Sequence, residues 1–286
     1  MNRDDIIILD GGMGRELEQS GAPFRQPEWS ALALMEAPDL VQKAHENFIN
    51  AGANVITTNS YALVPYHIGQ DRFDEKAAEL IALSGSLAKA AVEHANPNTK
   101  IAGCIPPLFG SYRPQAFEPE NADSVIVPLI DNQEGYIDFW LVETLSSSQE
   151  AVEILKRLKA RSKKQIWAAL TLTDDNTVDE PVYLRSGEII SETLEKLNEQ
   201  KLLPDALLFN CSQPEFIKAA LRETNDYFAK NNVMHIKAGA YANSFVKKQH
   251  KPANAAITDL REDITPERYM EFAKEWVECG ARIIGG

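Results

Sequence analysis

The sequence predicts an α/β protein, a closed (β/α)8 TIM barrel forming a single domain over residues 1–286. Three observations point to it. Short aliphatic or β-branched runs recur along the chain, and most are followed by a stretch of helical periodicity. The runs are nearly continuous in apolar residues, as strands of a parallel sheet covered on both faces must be. Eight such units fit into 286 residues with no polar linker and no shift in composition, which favours a ring over an open doubly wound sheet.

The runs are "IIILD" (6–10), "VITTNSY" (55–61), "KIAGCIPP" (100–107), "IDFWLVETL" (137–145), "QIWAALTLT" (165–173), "DALLFNCS" (205–212), "HIKAGAYANS" (235–244) and "ARIIGG" (281–286). Two intervening helices carry clear boundary signals. "SSSQEAVEILKRLKARS" offers Ser146 to Ser148 as N-cap candidates, with acidic residues early and basic residues late. "ITPERYMEFAKEWVECG" has Thr265 at the cap, Pro266 in the first turn and Gly280 as the stop. The proline-rich stretch from Ile105 to Pro119 reads as a long loop after the third strand. Its prolines, with Phe109, Tyr112 and Phe117, suit a mobile cover that keeps water out of the barrel mouth, the alternative being an inert surface loop. No helix follows the eighth run in this sequence.

Composition narrows the function. Lys+Arg 29 against Asp+Glu 42 gives a net charge of −13, which repels phosphate backbones and anionic lipid surfaces. Neither a nucleic acid nor a membrane is therefore an expected partner. No apolar stretch is long enough to span a bilayer and the N-terminus lacks the features of a signal peptide, so the expected location is the cytoplasm. The three cysteines, Cys104, Cys211 and Cys279, are odd in number and widely spaced, which argues against a disulfide framework. Nothing in the sequence specifies an oligomeric state.

In a (β/α)8 barrel the reactive groups sit at the carboxyl ends of the strands. The polar residues that end the runs are Asp10, Thr58 with Asn59, Glu143 with Thr144, Asn210 with Cys211, and Tyr241 with Asn243. They suit an amino-acid ligand, because carboxylates can hold an ammonium group while amides and backbone N–H groups hold a carboxylate. Each has a plainer alternative. Asp10 before Gly11 and Gly12 can shape a turn, and Cys211 alone can be a small buried hydrophobe. Glu143 is harder to explain structurally, since a carboxylate ending a buried strand is costly unless paired. Cys104, inside its strand, and Cys279, at a helix end, read as structural. Lys237 in the seventh run is a rival candidate as a Schiff-base lysine, although it lies early in its strand. None of the five histidines pairs with another at metal-binding spacing, and "GGMG" at 11–14 is too short for a dinucleotide fingerprint.

Taken together, "ILDGGMGRELE" (8–18), "GANVITTNSYA" (52–62), "LVETLSSSQEA" (141–151), "LRSGE" (184–188), "FNCSQPE" (209–215), "YANS" (241–244) and "GARIIGG" (280–286) resemble the homocysteine S-methyltransferases, in order and over nearly the whole chain. The resemblance implies a zinc-dependent barrel that moves a methyl group onto the thiol of homocysteine. By position it implies that Asp10 and Glu143 hold the amino group of homocysteine, with Gly11 helping to receive its carboxylate. On the strand-end reading above, Thr58, Asn59 and Asn243 would complete the substrate pocket. Cys211 would be the first zinc ligand. In the family the other two ligands are adjacent cysteines directly after the glycine pair that closes the eighth strand. The expectation is that the natural chain continues past Gly286 to supply them, since one thiolate cannot make a catalytic zinc site.

The expected partners are thus homocysteine and a methyl donor. A lone barrel without folate-binding or cobalamin-binding regions points to a sulfonium donor, S-methylmethionine or S-adenosylmethionine. The alternatives are a betaine-type donor, or a non-catalytic amino-acid-binding barrel that keeps the carboxylates and lacks the metal.

Overall fold

A computed structural model of the protein describes residues 6–178, 181–246 and 260–286. In chain order its elements are β1 (Ile7–Ile8), α1 (Met13–Gln19), α2 (Ser30–Glu36), α3 (Pro38–Asn50), β2 (Val55–Thr57), α4 (Pro65–Ile68), α5 (Gln70–Ala95) and β3 (Lys100–Ile105). They continue with α6 (Ala122–Asp131), β4 (Phe139–Leu145), α7 (Ser148–Arg161), β5 (Ile166–Leu170), α8 (Ile190–Glu199), β6 (Ala206–Asn210), α9 (Pro214–Lys230), β7 (Lys237–Tyr241), α10 (Pro266–Glu278) and β8 (Ala281–Ile284).

All eight predicted runs contain a strand, and the strands form one parallel sheet in the order β1-β8-β7-β6-β5-β4-β3-β2. Leu9 closes the ring. Its N–H donates to the carbonyl of Ile284 at 2.8 Å, and the residue bridges in parallel to Val55. A ring has no free edge, so every strand is paired on both sides.

Closure divides the side chains by parity. Leu9, Val55, Ala102, Phe139, Leu141, Trp167, Ala169, Ala206, Leu208 and Ile283 pack together inside the barrel. Their neighbours, among them Ile56, Trp140, Val142, Ala168 and Leu207, join the larger core between sheet and helices. Phe139 and Trp167 fill the interior low in the barrel, with ring centroids 4.2 Å apart. Gly239 in β7 is required by packing. A Cβ there would lie 2.7 Å from both the Cβ and the carbonyl oxygen of Ile283 in β8.

The helix signals held. Ser147 caps α7, its hydroxyl accepting from the Glu150 N–H at 3.2 Å. Thr265 caps α10 by accepting from the Arg268 N–H at 3.3 Å. Gly280 ends that helix at φ +97°. The strands are shorter than the apolar runs, since the ends of the runs turn out into the rim. Lys237 corrects one reading. It is the first residue of β7, exposed at the end of the barrel away from the rim, where no Schiff base could meet the site.

The ends of β7 and β8 are joined by a residue of α10. The Tyr269 hydroxyl accepts from the Ala242 N–H at 2.9 Å and donates to the Gly285 carbonyl at 2.6 Å. Tyr269→Phe should leave both groups unpaired and cost roughly 1–3 kcal/mol. A lowered denaturant midpoint with an unchanged slope would show it, and an unchanged midpoint would refute it.

A candidate active site at the barrel mouth

The parity that fills the barrel with apolar residues also decides what reaches its mouth. One step beyond the interior layer, inward positions place Thr57, Cys104, Glu143 and Tyr241 around the carboxyl ends of β2, β3, β4 and β7, with Asp10 just past β1. The Glu143 carboxylate accepts from the Tyr241 hydroxyl at 2.9 Å through Oε1 and from the Cys104 thiol at 3.0 Å through Oε2. Asp10 accepts from the N–H of Thr57 at 2.7 Å and from its hydroxyl at 3.1 Å. Cys104 therefore lies in the site, not simply in the core. Its mid-strand position in the sequence concealed this, because only the fold shows that it points inward beside Glu143.

These carboxyls are in an unusual electrostatic position. Burial, assisted by the charge of Glu143 and opposed by the bonds from Thr57, pushes the Asp10 carboxyl up to about 7. Burial also raises Glu143, against the bonds from Cys104 and Tyr241. Asp10 and Glu143 are both half-buried at the mouth, their carboxyls crowded by protein atoms. Among the described residues neither carboxyl forms an ion pair, and no cation is among the main causes of either shift. Two buried carboxyls without a counter-ion make a site that favours an incoming cation.

Cys211 follows β6 with a left-handed backbone at φ +49°, and Thr144 in β4 stands at φ +60°. For side chains with a Cβ this conformation is strained, and it is held here by a lattice of hydrogen bonds. Asn210 accepts from the Thr144 N–H at 3.0 Å and donates to the Thr144 hydroxyl at 2.9 Å. The Cys211 sulfur in turn accepts from the Thr144 hydroxyl at 3.7 Å and the Asn210 amide at 3.5 Å. The thiol is raised by burial first and by the nearby Glu143 charge second.

The remaining predicted residues are placed differently. Thr58 is buried, donating to the Gln133 amide oxygen at 2.6 Å and accepting from the Cys104 N–H at 3.0 Å. Asn59 is also buried and donates to the Ser30 carbonyl at 3.1 Å. Both side chains thus tie the end of β2 to its surroundings. Asn243 lies past β7, where its N–H donates to the Ser212 carbonyl at 3.1 Å and its side chain accepts from the Phe245 N–H. Gly11 opens the turn into α1, and a Cβ there would meet the Phe48 ring at 3.0 Å.

Sequence reasoning named Tyr112 only as part of a covering loop and gave Arg185 no role at the mouth. The stretch after β3 does lie at the mouth. Ser111 bonds the Tyr61 hydroxyl at 2.7 Å, Phe109 packs on Phe117, and Tyr112 lies close to the Cys211 thiol. Over the Tyr112 ring, 4.0 Å from its centroid, sits the guanidinium of Arg185, which pairs with Asp174 at 3.2 Å. Arg185 belongs to the "LRSGE" stretch, but no local pattern shows that it folds back onto a tyrosine from another loop.

A metal would need more than these residues supply. Among the described residues no group of three His, Cys, Asp or Glu side chains can hold an ion. Cys211 stands at the rim as one available thiol.

The chain matches the homocysteine S-methyltransferase family over residues 7–286. It belongs to that family. Homocysteine S-methyltransferase of Escherichia coli is 25% identical over 309 residues, covering 100% of this chain and 92% of that protein. Homocysteine S-methyltransferase 1 of Arabidopsis thaliana is 26% identical over 305 residues, covering 98% and 88%. A selenocysteine methyltransferase of Astragalus bisulcatus is 23% identical, covering 98% and 87%. The crystal structure of the metallated homocysteine methyltransferase MmuM from Escherichia coli shares the fold, with TM-score 0.75, 24% identity and coverage of 99% of this chain and 92% of that one.

The raised Asp10 carboxyl has a consequence for stability. Its ordinary value is 3.8 and its folded value about 7, so the folded protein holds a proton that the unfolded chain releases. Its contribution is therefore most favourable below about pH 4 and declines as pH rises to 7. Asp10→Asn keeps the bonds to Thr57 and removes the charge. The variant should be more stable than the wild type at pH 8 by roughly 1–3 kcal/mol, with the difference shrinking toward pH 4. Denaturant melts at the two pH values measure this, and equal stability at pH 8 would contradict it.

Proposed function

We propose that the protein transfers a methyl group from a sulfonium donor, S-methylmethionine or S-adenosylmethionine, to the thiol of homocysteine, giving methionine. One observation carries this reading. Asp10 and Glu143 are two buried carboxyls in the barrel mouth with no cation among the described residues, as a site for the α-ammonium of an amino acid requires. Tyr241 and Cys104 fix the Glu143 carboxylate from both oxygens, while Thr57 fixes Asp10. The backbone at Gly11 and the side chain of Asn243 are assigned to the substrate carboxylate. Thr58 and Asn59 serve by holding the end of β2.

In the transfer the acceptor sulfur forms a bond to the methyl carbon as the donor's carbon–sulfur bond breaks, and the electron pair leaves with the neutral thioether. A thiolate attacking a sulfonium neutralises opposite charges, so a water-poor mouth favours the reaction. The loop carrying Tyr112 supplies that shielding. We further assign Cys211 as one ligand of a zinc ion, with at least two more ligands needed from outside the described residues. When bound, zinc supplies a Lewis acid that keeps an acceptor thiol deprotonated. Free thiols and the acidic charge fit a reducing, cytoplasmic setting.

Glu143→Gln should weaken homocysteine binding by about 10- to 100-fold, the worth of a charge-assisted hydrogen bond, with the melting temperature kept or raised. Calorimetric titration tests it, and undiminished affinity would remove Glu143 from the site. The pH dependence has a defined sign. An ammonium binds the ionised carboxylate, and Asp10 is protonated below about 7. Homocysteine affinity should therefore fall as pH drops from 8 to 6, with a proton released on binding near pH 7. Dialysis against a chelator should abolish methyl transfer, and zinc should restore it where magnesium does not. A zinc-loaded protein that binds homocysteine yet methylates it from no sulfonium donor would sink the catalytic reading.

A further inference from the structure

We infer that Asp174 and Arg185, in the loop between β5 and α8, recognise the α-amino acid end of the methyl donor. The protein would then be selective for sulfonium amino acids over donors of the betaine type. The inference rests on the methyl-transfer reading above and names the part of the mouth that the homocysteine pocket leaves unassigned.

The loop is built to present this pair. An antiparallel bridge between Leu172 and Leu184 folds it back on itself. The Thr173 N–H donates to the Tyr183 carbonyl at 3.0 Å and the Arg185 N–H to the Thr171 carbonyl at 3.3 Å. Asp174 and Arg185 are thereby set side by side, 14% and 15% exposed, with Nη2 of Arg185 on Oδ2 of Asp174 at 3.2 Å. Nε reaches the Thr171 hydroxyl at 3.5 Å. That hydroxyl itself donates to the Cys211 carbonyl at 3.3 Å. The face of the guanidinium covers the Tyr112 ring, which lies close to the Cys211 thiol. The ion pair is thus one side chain away from Cys211, through Thr171 to its carbonyl and across the Tyr112 ring.

Two valences remain open. The Oδ1 atom of Asp174 is buried and has no hydrogen-bond partner. Among the described residues Nη1 of Arg185 also makes no bond. A buried acceptor without a donor is costly, and Oδ1 can take one more hydrogen bond. An unmet carboxylate oxygen beside an unmet guanidinium nitrogen matches a zwitterion, with the ammonium on Asp174 and the carboxylate on Arg185. S-methylmethionine and S-adenosylmethionine both carry that end. A betaine offers a carboxylate and a methylated cation without an N–H, so Asp174 would stay unmet. Sites built to hydrogen-bond a group reject analogues that lack it.

Calorimetry on the full-length protein tests this with four probes: S-methyl-L-methionine, dimethylsulfoniopropionate, trimethylsulfonium and L-homocysteine. The wild type should bind S-methylmethionine at least about tenfold more tightly than dimethylsulfoniopropionate, which has the sulfonium and carboxylate but no amino group. Asp174→Asn should erase that preference. Arg185→Gln should weaken both carboxylate-bearing sulfoniums about 10- to 100-fold, with trimethylsulfonium and homocysteine unaffected. If either variant loses homocysteine or trimethylsulfonium to the same degree, the pair serves the acceptor or merely holds the loop, and the inference fails. Equal wild-type affinity for the two carboxylate-bearing sulfoniums also overturns it. Homocysteine bound normally with no sulfonium bound overturns this donor site alone, whereas no homocysteine binding overturns the functional reading itself.

Discussion

The closing contact of the ring, Leu9 between Ile284 and Val55, is the constraint on which the rest of the molecule depends. Once the sheet closes, each strand has an inside and an outside, and side chains alternate between them. The same alternation that packs Phe139 against Trp167 low in the barrel aims Cys104, Glu143 and Tyr241 into the mouth nearer the strand ends. The pocket is thus a continuation of the core by other residue types. Its position follows from the ladder, and its chemistry from which residues sit at the last inward places.

Those last places hold charge where packing alone would call for apolar groups. Burying Asp10 and Glu143 without a cation raises both carboxyls and works against the fold. The surrounding structure has stability to offset it, from a helix–sheet core that runs through every element pair of the ring. The strained backbones at Thr144 and Cys211 lie in the same small region and are held by reciprocal bonds with Asn210. Strain and unpaired charge concentrated at one end of a well-packed barrel are what a binding site costs its scaffold.

Two loops complete the mouth. The segment after β3 brings Tyr112 to Cys211, and the segment after β5 brings Arg185 onto Tyr112. Neither contact is local, since residues 112, 185 and 211 come from three different strand ends. Family membership supports the proposed acceptor. The proposed donor selectivity rests on the polar pair of the β5–α8 loop, Asp174 with Arg185.

Much of the fold was legible in the sequence because it rests on local signals. Apolar runs marked all eight strands, Ser147 and Thr265 marked helix starts, and Gly280 marked a helix stop. Asp10, Glu143 and Cys211 were legible as strand-end polar residues and through the resemblance of their motifs. What the sequence alone did not determine was direction and partnership. Cys104 looked structural until the parity of a closed sheet turned it toward Glu143. Thr58 and Asn59 stood at a strand end like the others, but their side chains turned to Gln133 and Ser30. Lys237 changed meaning through its place at the far end of β7. The physical reason is common to all of these. Hydrophobic period and capping chemistry act over a few residues and are written along the chain, whereas the face a polar side chain presents, and the residue that meets it there, are set by contacts between segments far apart in sequence.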